Sequence, residues 1–178
     1  MLESQLPRLL GKEVPFRLIP FEGKQDLEKH IARKIRGYRN REARFMVLRD
    51  QDSHPDCGKL KQRLLDLCRE AGREYECLVR IACTELETFY LADLQAVEQA
   101  LGLTGVASHQ ESRKFRNPDR LGSPSRELKV LTRNAYEKVA GSRAMGLHLR
   151  LDNERSPSFR NLIAGIRRME NELLGLDA

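Results

Sequence analysis

The chain has 178 residues, of which 40% are hydrophobic, and 32 Lys and Arg against 26 Asp and Glu leave a formal net charge of +6. That length holds one domain with a full core and gives no reason to require two, and no apolar run approaches the ~20 residues that a membrane helix needs. The first ten residues include Glu3, Gln5 and Pro7 and carry neither a basic leader nor a long apolar segment, so a cytoplasmic protein is expected.

Leu2 to Leu10 reads as a helix end stopped by Gly11, and Val14 to Phe21 as a strand that Pro15 and Pro20 demote to an edge or short segment. Lys24 to Tyr38 is predicted to be a helix, since Leu27, Ile31, Ile35 and Tyr38 recur at helical spacing. Arg44 to Arg49 is a short apolar run with the length of a buried strand, and it ends in Asp50-Gln51-Asp52. Unpaired carboxylates cannot stay inside a sheet, so Asp50 and Asp52 are expected beyond its carboxyl end, where ligands of open α/β sheets bind. Two carboxylates at that spacing can share one hard cation such as magnesium. The plainer alternative is that they open the turn before the next helix, with Asp56 as its cap.

That helix should run from Asp56 to Gly72, with Leu60, Leu64, Leu67 and Cys68 on one stripe. Glu76 to Cys83 reads as a third strand, and Glu85 and Glu87 follow at its junction with a helix through Phe89 to Leu94. Neighbouring parallel strands end on the same side, so Glu85 and Glu87 can converge with Asp50 and Asp52; alternatively they only favour the positive end of the helix dipole. Residues 102–125, broken by Gly102, Gly105, Asn117, Pro118, Gly122 and Pro124, read as a mobile polar loop or insertion after an α/β core of 1–101. A helical part fills 126–178: a start capped at Ser125, a stretch from Arg143 to Leu151, and an amphipathic helix from Ser158 to Leu174 capped around Asn153, Arg155 and Ser156. His148 is expected to be a packing histidine.

The cysteines Cys57, Cys68, Cys77 and Cys83 lack Cys-x-x-Cys spacing and histidine partners, which argues against zinc and thioredoxin-type chemistry; Cys57 should be the most accessible. Basic residues crowd Arg33 to Arg41 and Arg113 to Arg126, which suits either a phosphate backbone or simply solvated faces. Aromatic content of 6% offers no stacking platform for single strands.

The ordered segments Leu6 to Leu10, Pro20 to Lys24, Val47 to Asp52, Arg80 to Glu87 and Arg155 to Phe159 resemble the prokaryotic domain of unknown function 4276, a family grouped with Toprim-type catalytic domains of topoisomerases, primases and OLD-family nucleases. The resemblance implies a mostly parallel, Toprim-like Rossmannoid α/β sheet flanked by helices with a helical C-terminal part. It places Asp50 and Asp52 on the Toprim Asp-x-Asp metal pair and Glu85 and Glu87 on the later acidic segment, with Mg2+ or Mn2+ as cofactor. It also implies an ATPase partner in a two-part, often anti-phage, system. The family pattern opens with a strand ending in a glutamate ahead of the helix of Leu6 to Leu10. This chain starts inside that helix, with Glu3 on the helix itself, so either it is a shortened form or a true start lies upstream; if it is complete, the sheet should lack a central strand and expose an edge open to another chain or a second copy.

Two functions follow. One is a magnesium-dependent nuclease in which Asp50 and Asp52 hold the cation, Glu85 or Glu87 completes its shell, and Arg49 and Arg80 neutralise phosphate. The other is a non-catalytic module of the same fold that binds a partner ATPase or nucleic acid.

Overall fold

The computed structural model describes residues 1–176. Its order is α1 (Leu2–Leu9), α2 (Lys24–Arg36), β1 (Phe45–Asp50), α3 (Cys57–Glu70), β2 (Cys77–Ala82), α4 (Glu87–Leu91), α5 (Leu94–Leu101), α6 (Pro124–Leu131), α7 (Lys138–His148) and α8 (Pro157–Leu174). β1 and β2 pair in parallel from Phe45 opposite Cys77 to Asp50 opposite Ala82, and α3 makes the crossover that a parallel pair requires.

Alternation along the strands builds two cores. Val47 and Val79 point to one face and pack with Leu27, Ile31 and Ile35 of α2 and with Leu64 and Cys68 of α3. Met46, Leu48 and Ala82 point to the other, where α4, α5 and α8 supply Phe89, Leu91, Leu94, Phe159, Leu162 and Ile166. α8 lies directly on β2 at Gly165, where an added Cβ would come within 2.6 Å of Leu78 Cδ2 and 2.8 Å of an Arg80 guanidinium nitrogen. Glycine is needed there for close approach, not for its backbone freedom.

The helix starts follow the expected chemistry. Asp56 caps α3 by accepting from the Lys59 amide at 3.0 Å, and Ser156 caps α8 by accepting from the Phe159 amide at 3.1 Å. Asp56→Ala is expected to cost about 1 kcal/mol, read as a lower urea midpoint at unchanged slope. At α6 the cap position falls on Ser123, and Pro124 opens the helix.

Several expectations are corrected. Val14 to Phe21 forms no strand: residues 15–21 make no backbone–backbone hydrogen bond, and Phe16, Leu18 and Ile19 remain 44%, 40% and 38% exposed. Pro15 and Pro20 remove two donors from a stretch already short of a neighbour. The segment between α5 and α6 is an irregular, largely exposed loop as expected, but it is anchored to the core: it buries Val106, Phe115 and Pro118 and holds two short 3-10 turns, Ala107–His109 and Pro118–Arg120. Gln110 organises it, accepting from the Leu94 amide and donating to the carbonyls of Leu91 and Phe115. Its polar composition thus serves internal hydrogen bonds. His148, expected to pack, is exposed, whereas Cys57 is exposed as anticipated and all four cysteines are free.

Candidate active site at the carboxyl ends of the strands

The ladder continues past both strand ends. The Gln51 amide donates to Ala82 O at 2.9 Å and the Asp52 amide to Thr84 O at 2.7 Å, which lays the two acidic turns side by side. Asp52 and Thr84, joined by that second bond, both have positive φ, 52° and 60°. An aspartate tolerates this conformation, but a β-branched threonine there is strained. The strain is held by the Thr84 hydroxyl, which donates to Leu121 O at 3.1 Å, and by Gln51 Oε1, which accepts from the Thr84 amide at 3.5 Å.

The four acidic residues do not behave alike. Asp50, last in β1, is half-buried, and its carboxyl is pushed up to about 6. Burial is the largest cause, followed by the negative charges of Glu87 and Asp52; the Leu86 amide and Lys138 act in the opposite sense. Glu87, first in α4, is 2% exposed and accepts from the Tyr136 hydroxyl at 3.1 Å, which in turn shares a 3.1 Å hydrogen bond with Ser142. Asp50 and Glu87 are therefore electrostatic neighbours in a low-dielectric setting. Burial, chiefly, and the charge of Glu87 also raise the Tyr136 phenol, which stays protonated as a donor. Asp52 lies at the rim, paired with Lys24 at 3.3 Å. Glu85 turns away, its Oε2 accepting from the Ser125 amide at 2.6 Å near the start of α6.

The two arginines part in a similar way, because Arg49 and Arg80 belong to opposite faces of the sheet. Arg49 reaches Glu28 on α2. Arg80 lies against α8, its Nε donating to Asn161 O at 2.8 Å, and is not part of this grouping. Tyr136, Ser142, Lys138 and Lys24 were not singled out from the sequence. Tyr136 is 49 residues from Glu87, and nothing local to it signals the contact.

A divalent cation tests this arrangement. Among the described residues no group of three or more His, Cys, Asp and Glu side chains is arranged to hold a metal ion. Magnesium commonly takes only one or two carboxylates and fills its other positions with water and phosphate oxygens. The Asp50–Glu87 neighbourhood suits that mode, since a cation relieves the negative charge that Glu87 and Asp52 place on Asp50.

The fold and this constellation define a mixed α/β protein with a parallel strand pair that gathers carboxylates at its carboxyl end. The chain belongs to the family described as Domain of unknown function (DUF4276), whose model matches residues 1–167. No curated protein and no solved structure matches it. No helix among the described residues is long and apolar enough to cross a membrane.

Proposed function

We propose that the protein is a Toprim-like, magnesium- or manganese-dependent nuclease component acting on nucleic-acid phosphodiesters. The observation that carries this reading is the side-by-side placement of the two acidic turns, the Asp52 amide donating to Thr84 O at 2.7 Å, with half-buried Asp50 and buried Glu87 at their bases. Asp50 and Glu87 would hold the cation, with Asp52 at its rim, and the cation when bound supplies charge neutralisation at the phosphate and an acidified water. Tyr136 keeps Glu87 oriented, and Lys24 holds Asp52 at the rim, where a phosphate oxygen could displace the carboxylate from the ammonium. Glu85 is assigned to the start of α6 rather than to the cation. An ATPase partner and a place in a two-part defence system belong to the same proposal and rest on the family resemblance, and a cytoplasmic setting is proposed with them.

The test is calorimetric titration with magnesium and manganese, paired with a cleavage assay on the same samples. Wild type is expected to bind and cleave; Asp50→Ala with Asp52→Ala should lose both while keeping its circular dichroism spectrum. Absence of metal binding in the wild type would overturn the nuclease reading.

A second reading, a non-catalytic interaction module, is favoured by a separate observation. Phe16, Leu18 and Ile19 stand exposed on an extended segment with no backbone partner, next in sequence to the basic α2. Such a stretch suits pairing with another chain, whether a partner or a second copy. That module predicts binding that is indifferent to metal and to the Asp50 and Asp52 substitutions.

A further inference from the structure

On the α2–α3 face of the sheet, away from the Asp50 carboxylate, a cavity of about 370 Å³ opens between the first turn of α2 and the loop before α3. Lys24, Glu28, Arg49, His54 and Arg63 line it. We propose that it is a phosphate-monoester site, a subsite that deepens the nucleic-acid reading above by naming a group held on the opposite face of the sheet and linked to the carboxylate turns through Lys24.

Arg49 carries the argument. Its side chain is 9% exposed, it lines the cavity, and its Nε is buried with no hydrogen-bond partner. An unmet donor on a buried guanidinium is costly, and a small rotation of the side chain toward the cavity would let an anionic oxygen satisfy it. The local charge points the same way: Glu28 alone serves two guanidiniums, pairing with Arg49 and, at 2.6 Å, with Arg63, so one positive charge is left over.

The remaining donors are independent of that pair. α2 begins at Gly23, whose φ of 142° admits no ordinary side chain, and no side chain caps the helix. The amides of Lys24 and Gln25 accordingly have no acceptor among the described residues, and the helix dipole adds positive potential at that point. His54 accepts the Asp56 amide on Nδ1 at 3.2 Å, which leaves its proton on Nε2 as a donor. Lys24, half-exposed and paired with Asp52, sits between this cavity and the carboxylate turns. A cavity of this volume accommodates a phosphate with an attached sugar.

Orthophosphate titrated calorimetrically into the full chain, in chelator so that no metal and no turnover are involved, tests this apart from the nuclease reading. Saturable binding is expected in the wild type. Arg63→Gln, at a side chain 68% exposed and outside the core, should weaken it about tenfold, and Glu28→Gln should tighten it several-fold by removing the competing carboxylate. If Arg49 and Arg63 were only structural partners of Glu28, the Glu28→Gln protein would lose stability with no gain in affinity. Absence of binding at 10 mM orthophosphate (about the weakest affinity worth calling a site), or equal affinity in all three proteins, overturns the proposal. Competition by a 5′-phosphorylated but not an unphosphorylated oligonucleotide identifies a strand end as the source of the phosphate; competition by a mononucleotide alone identifies a free nucleotide.

Discussion

Asp50→Asn is expected to stabilise the metal-free protein at pH 7.5 by about 2–3 kcal/mol and to have almost no effect below about pH 4. The folded carboxyl titrates near 6 against an ordinary value of 3.8. A raised folded value means that the folded state holds this proton more tightly than the unfolded chain. The resulting stabilisation is complete below the unfolded value and is lost as pH rises from about 4 through about 6. At neutral pH the wild type therefore carries an ionised, half-buried Asp50 facing Glu87 and Asp52, and asparagine removes that charge. Urea unfolding of both proteins in chelator across pH 4 to 8 should show two curves that coincide at the acid end and separate towards neutrality. Curves that stay parallel throughout would show that Asp50 does not sit in this electrostatic environment. Added magnesium should close the gap: at a hundredfold excess over its dissociation constant it stabilises the wild type by about 2.7 kcal/mol, while the asparagine variant gains little. A group that destabilises the free protein and is rescued by a cation fits a binding site, where stability is commonly traded for function.

Phe159→Ala should be the most damaging single change, costing about 3–5 kcal/mol, or roughly 10 °C or more in Tm for a chain of this size. Phe159 is fully buried in the first turns of α8, and its ring meets Phe89 at 5.2 Å between centroids, tilted by 52°. The loss combines removed apolar area with a cavity that neighbours held by Leu162 and Leu91 cannot collapse to fill. Because Phe89 lies two residues beyond Glu87, the same variant should also weaken whatever cation affinity the Asp50–Glu87 pair has. Differential scanning calorimetry with and without magnesium separates the two effects. A Tm within about 2 °C of wild type would mean that the α4–α8 contact is not the keystone of this core.

Much of the framework was legible because it is governed by short-range rules. The period of Leu27, Ile31 and Ile35 marked α2, the apolar runs marked both strands, and Asp56 and Ser156 marked the starts of α3 and α8. Each depends on residues within a turn or two of one another, where side-chain periodicity and capping dominate. The segment 14–21 failed for a complementary reason: strand propensity expresses itself only against a neighbouring strand, and residues 15–21 have none.

Acidic turns after both strands can be read from residue order alone, and parallel pairing makes them neighbours. Which carboxylates influence one another depends on long-range packing. Glu87 rather than Glu85 joins Asp50, because Glu85 finds the Ser125 amide and Glu87 finds Tyr136, contacts 40 and 49 residues away along the chain. Alternation along the strands sent Arg49 and Arg80 to opposite faces, and only folding against α2 and α8 gave them different partners. Burial and the charge of long-range neighbours set the proton affinity of a carboxylate, and both are properties of the packed molecule that no local pattern encodes.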